Sequence, residues 1–108
     1  MATETISTAR VVTKRAPRYG KQLVSHLSRR SVGHWDPDTS TGTLNMSGGA
    51  AHVTLTSTVE ALLLEIRAAD TDIANYEDVL GRHLVRFADR DELHVQWERS
   101  DGTTGTAQ

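Results

Sequence analysis

The sequence predicts an α+β domain of two layers, an antiparallel sheet with two helices on one face. Three observations lead there. Two segments carry apolar residues at helical spacing, six short segments alternate apolar and polar with period two, and four of those six follow one another with only turns between them. Strands that close in sequence pair most economically as an antiparallel meander, and such a sheet can leave one face to water. The expected element order is β-α-β-β-β-β-α-β.

Residues 1–6 read as a flexible N-terminus, and 7–99 as the single folded domain. The β-branched run at 9–13 is the first strand. Pro17 suits the first turn of a helix, where its missing N–H costs nothing. That helix runs to about Arg30, with Tyr19, Leu23 and Leu27 as its buried stripe and Arg18, Lys21, Gln22, Ser25 and Arg29 on the opposite face. Residues 32–35 are a short extended segment. The stretch 36–42 is dense in turn formers. In 43–46, Leu44 and Met46 share a face, and Ser47-Gly48-Gly49 reads as a hairpin turn. Val53 and Leu55 point inward from the next strand, and Leu62, Leu64 and Ile66 from the one after.

Asp70 to Asp72 suit the positive end of a second helix. Its stripe is Ile73, Tyr76, Leu80, Leu84 and Phe87, and Arg82, Arg86 and Arg90 place positive charge at and beyond its C-terminal end. Leu93, Val95 and Trp97 alternate in a last strand, which marks Trp97 as core. Residues 100–108 are polar, rich in Gly and Thr, and read as a disordered tail.

The 108 residues suffice for one domain with a real core. The absence of cysteine excludes disulfides, thiolate metal sites and cysteine nucleophiles. No apolar run approaches the ~18 residues of a membrane span, and no signal peptide is visible, so a cytoplasmic location without membrane contact is expected. The net charge of -2 hides a polarity: residues 1–35 sum to +6 and residues 36–108 to -8.

Phosphate-binding glycine loops, nucleophile elbows and paired-histidine zinc helices are all missing. The five histidines, at 26, 34, 52, 83 and 94, share no local metal-ligand spacing, so neither a metal site nor a cofactor is expected. Glu77 falls on the buried side of the second helix, with Gly81 one turn on, where a missing side chain admits another backbone. His26 and Arg30 flank the buried stripe of the first helix. Glu77 therefore reads either as half of a structural ion pair or as the acid/base of a pocket, with His26 or His83 as its partner. The basic face of the first helix, Arg18, Lys21 and Arg29 with Arg15 before it, reads either as a solvated face or as a surface for an anionic ligand or an acidic protein. Nucleic acid is not expected, because that face lacks interleaved aromatics and the whole chain is acidic. Trp35, beside the turn, is a further candidate for ligand or partner contact.

Several segments resemble, in order, the bacterial domain of unknown function 2218 family. They are Thr8-Ala9-Arg10-Val11, Arg18-Tyr19-Gly20-Lys21-Gln22-Leu23 followed by His26, Trp35-Asp36, the run from Glu77 to Phe87, and the run from Arg90 to Trp97. The resemblance brings no established activity. It implies a link to iron uptake or release, since similar domains occur beside, or fused to, siderophore-interacting flavin reductases. Many relatives look as if they carry a Cys and a second His where this chain has Val24 and Arg29, which leaves His26, Glu77 and His83 as the matching polar positions.

Three readings of function follow. The first is a non-enzymatic ligand- or partner-binding accessory in siderophore or iron metabolism, meeting an anionic ligand or a flavin reductase through Arg15, Arg18, Lys21, Arg29 and Trp35. The second is a small enzyme with a polar pocket centred on Glu77 and His26 or His83. The third is a structural homodimer module.

Overall fold

A computed structural model describes residues 4–29, 31–87 and 92–108. The elements are β1 (Glu4–Val12), α1 (Ala16–Leu27), β2 (Val32–Asp36), β3 (Thr41–Met46), β4 (Ala51–Ser57), β5 (Ala61–Ala69), α2 (Ile73–Phe87), β6 (Gln96–Arg99) and β7 (Thr104–Ala107). The strands form one antiparallel sheet in the order β2-β3-β4-β5-β1-β6-β7. The α+β class therefore holds. The meander β2 to β5 is present, β1 pairs along the far side of β5, and a β6–β7 hairpin completes the sheet beyond β1.

Several boundaries differ from the sequence reading: α1 ends at Leu27 rather than near Arg30, the strand read from Leu93 begins at Gln96, and strands reach into both terminal segments. β1 starts at Glu4, inside the segment read as flexible, because Glu4 to Val12 pair without a break with Ala69 to Ala61 of β5. The segment 100–108, read as a disordered tail, contains β7. A polar, Gly/Thr-rich composition hid a strand that β6 and α2 hold in place. Arg30 and Arg90 lie outside the described residues.

Alternation dictates the core. Val11 faces Leu62, Ala9 faces Leu64 and Ser7 faces Ile66 across β1 and β5. Val53 and Leu55 of β4 continue the same inner surface toward Leu44. All of these residues are buried. α1 lies over β2 to β5, while α2 lies over β1, β5 and β7. Tyr19, Leu23 and Leu27, and Ile73, Tyr76, Leu80 and Leu84, are the buried stripes as the periodicity requires, whereas Phe87, read as part of the second stripe, is only half-buried at the end of α2.

Trp35 shows how closely α1 approaches the sheet. Its ring fills the space between Gly20 of α1 and Gly42 of β3. A Cβ on Gly20 would stand 2.8 Å from that ring, and one on Gly42 only 2.7 Å. Gly20→Ala should therefore destabilise by about 1–2 kcal/mol, since overpacking outweighs the ~1 kcal/mol that alanine contributes to a helix interior. Urea melts with tryptophan emission would check this. A more stable Gly20→Ala protein would show that the ring yields freely.

Candidate functional site

Two polar assemblies lie on the helical side of the sheet, and they are separate. The first is built around Glu77. Helical spacing puts Glu77 on the face that α2 turns to the sheet, level with the inward residues of β1, β6 and β7. Its carboxylate is fully buried. Arg99 donates to both oxygens, from Nε to Oε2 at 3.0 Å and from Nη2 to Oε1 at 2.9 Å. The Ser7 hydroxyl donates to Oε2 at 2.6 Å. Thr106 donates its backbone N–H at 2.9 Å and its hydroxyl at 3.0 Å, both to Oε1.

Burial alone would raise the pKa of Glu77, but Arg99, Ser7 and Thr106 together pull it from 4.5 down to about 2. Glu77 raises the pKa of Arg99 in turn. This carboxylate is ionised, acceptor-saturated and shut off from solvent, which fits a structural ion pair and leaves no lone pair for a substrate proton. Among the described residues its hydrogen bonds go to Ser7, Arg99 and Thr106 and not to His26, and it lines none of the clefts described below. Gly81, expected beside another backbone, instead makes room for the Gln108 side chain. That side chain accepts a 2.8 Å hydrogen bond from Trp97 Nε1.

The second assembly joins the C-terminal end of α1 to the middle of α2. His26 and His83 meet there with ring centroids 5.0 Å apart, and Phe87 stands edge-to-face to His26 at 5.1 Å. The two imidazoles line a cleft of about 600 Å³ whose lining includes Arg29, Ser47, Asn75 and Tyr76, with Leu27, Met46 and Val79 as its apolar part. That volume falls within the ~300–1,000 Å³ of small-molecule sites. None of its described lining residues is acidic.

His83 Nδ1 lies 2.6 Å from the Val79 carbonyl, which can only accept. The Nδ1 proton is thereby fixed, and the neutral ring keeps its lone pair on Nε2. The pKa of His26 is lowered, first by burial and then by His83, Arg29 and Arg86.

The other sequence candidates are dispersed. Arg18 and Lys21 are exposed on the outer face of α1, and Arg29 lies just beyond its end. Arg15 precedes α1 and borders a smaller hollow with Leu93. Trp35 is half-buried as packing between α1 and β3. His34, His52 and His94 are exposed, and among the described residues no three metal-ligating side chains converge.

Sequence reasoning left Glu77 between a structural ion pair and a pocket shared with His26 or His83; the fold pairs Glu77 with Arg99 and brings His26 to His83 instead. Sequence reasoning also missed the partners of Glu77. Their signal was strand parity: Ser7 shares the inward register with Ala9 and Val11, and Arg99 follows Trp97 by two. A second trough of about 600 Å³ on the open face of the sheet was not foreseen either. Thr8, Arg10, Thr54, Glu65 and Glu98 line it, with charges of both signs.

The fold and the cleft define a class, a small two-layer α+β domain with a histidine-lined cleft between its helices. The chain belongs to the family described as an uncharacterised protein conserved in bacteria, domain of unknown function 2218, whose model matches residues 8–98. It is similar to the NMR structure of PA4090 from Pseudomonas aeruginosa, with 25% identity and a TM-score of 0.68 over 91% of this chain and 96% of that one. None of the curated proteins matches it.

Proposed function

We propose that this domain is a non-enzymatic binding module whose cleft between α1 and α2 takes a small, oxygen-rich anion, and that it serves siderophore or iron metabolism. The observation that carries the binding reading is the convergence of His26, His83 and Arg29 on one cleft whose described lining residues include no carboxylate. Histidine and arginine N–H groups suit carboxylate, phosphate or catecholate oxygens. The apolar part gives the body of a ligand a surface to cover. The iron pathway rests on the family resemblance, which implies siderophore-interacting flavin reductases as neighbours. Ferric siderophores are mostly anionic or rich in oxygen. Arg18 and Lys21 extend the positive charge along α1 and offer a surface for such a reductase.

The test is an amide NMR titration with a gallium-loaded siderophore, gallium being the diamagnetic stand-in for ferric iron. Saturable shifts at His26, Arg29, His83 and Asn75, with Thr54 and Glu65 unmoved, are expected. Changing Arg18, Lys21 and Arg29 together to Glu should weaken binding by about tenfold, since the Arg29 contact in the cleft, worth up to ~1 kcal/mol, changes sign and the longer-range attraction of Arg18 and Lys21 is reversed. Silence across a panel of siderophores would overturn direct recognition and make the flavin reductase the next titrant.

A further inference from the structure

We propose that the His26–His83 pair couples oxoanion binding in the cleft to proton uptake, so that this domain holds a carboxylate- or phosphate-bearing ligand more tightly as pH falls from 8 to 6. The inference rests on the binding reading above and names its regulation. Two imidazoles whose centroids are 5.0 Å apart cannot both take a proton without mutual repulsion. The charged or titratable groups acting on His26 are His83 and Arg86 from α2 and Arg29 from the turn after α1. All are cations or become cations on protonation. Met46 and Ser47, which line the cleft from the sheet side, carry no charge.

The empty cleft therefore opposes a proton on His26, and the same influences lower its pKa, with burial first. His83 has its Nδ1 proton committed to the Val79 carbonyl, so a second proton goes to Nε2. An oxoanion between the rings and Arg29 reverses the balance. It offsets the positive charge that Arg29 and Arg86 bring to bear on His26 and accepts from each new N–H. The bound state then carries more protons than the free state. Affinity must rise as pH falls through the bound-state pKa and level off below the free-state pKa.

The experiment follows the ring Cε1–H signals of the full chain from pH 5 to 8.5, alone and with citrate or inorganic phosphate. His26→Gln and His83→Gln supply the assignments. In the free protein His26 should titrate below about 6.5, and His83→Gln should bring its midpoint back up. Saturating citrate should raise the His26 midpoint by about one unit, with a Kd roughly tenfold lower at pH 6 than at pH 8. Phosphate acting like citrate identifies the oxoanion as what is read, while citrate alone identifies the carboxylate. Citrate binding with one Kd at both pH values overturns the coupling and leaves the binding reading intact. If neither these anions nor the gallium complex moves a cleft signal at any pH, both fall. A His26 midpoint at or above 6.5 that ignores His83→Gln defeats the coupling whatever binds.

Discussion

Glu77→Gln should lower the folding stability of this domain by about 3 kcal/mol, the lower end of what breaking a buried pair costs. The substitution keeps the shape and removes only the charge and one acceptor. Five N–H or O–H groups donate to the carboxylate. An amide turns an N–H toward at least one of them, so a donor meets a donor. Arg99 is left without its counter-charge while 15% exposed, and that residual access to water keeps the cost at the lower end. For a chain of this length the melting midpoint should drop by roughly 12–24 °C, followed by circular dichroism.

Acid titration gives an independent measure of the same pair. The carboxylate pKa is depressed from 4.5 to about 2 on folding, so the unfolded chain takes up its proton first as pH falls. The stabilisation is complete above pH 4.5 and is lost between 4.5 and about 2. At about 1.4 kcal/mol per unit this amounts to roughly 3 kcal/mol. The Glu77→Gln protein should lack that part of the acid slope. Equal slopes in both proteins would show that Glu77 is not held as the geometry requires.

The layers were readable because burial has a period. Tyr19, Leu23 and Leu27 declare a helix stripe, and Val53 and Leu55 declare a strand face, whatever lies opposite. The site was less readable because it depends on which elements become neighbours. His26 and His83 are far apart in sequence, and only the crossovers that carry α1 and α2 to the same side of the sheet bring them together. Glu77 was visible as a polar residue on a buried stripe, yet its partner could not be chosen without the strand order. β6 lies beside β1, and that adjacency brings Arg99 to Ser7 and Glu77. β7 was unreadable for a different reason. Thr104 to Ala107 has no apolar alternation, and its affinity for the sheet comes from backbone pairing and from Glu77.

Removing residues 100–108 tests that last point, and the truncated chain should lose its cooperative unfolding transition. β7 pairs Gln96 with Ala107 and Glu98 with Thr104, and Val95 and Gln108 exchange backbone hydrogen bonds of 3.3 and 2.9 Å. Truncation strips two of the five donors from Glu77. Hydrogen bonds to a charged group contribute about 1.5–3 kcal/mol each. It also removes the partner of the Trp97 indole and uncovers a ring that is only 1% exposed. Together these losses approach the ~5–15 kcal/mol that holds a domain folded. Near-ultraviolet circular dichroism of the tryptophans reports the outcome. Gly105→Ala is the milder probe, because a Cβ there would stand 2.4 Å from the Trp97 carbonyl oxygen and only a backbone shift relieves it. That change should cost about 1–3 kcal/mol. A truncated protein with a full-length melting midpoint would mean that β7 merely decorates the edge, and that Ser7 and Arg99 alone suffice to keep Glu77 ionised in the core.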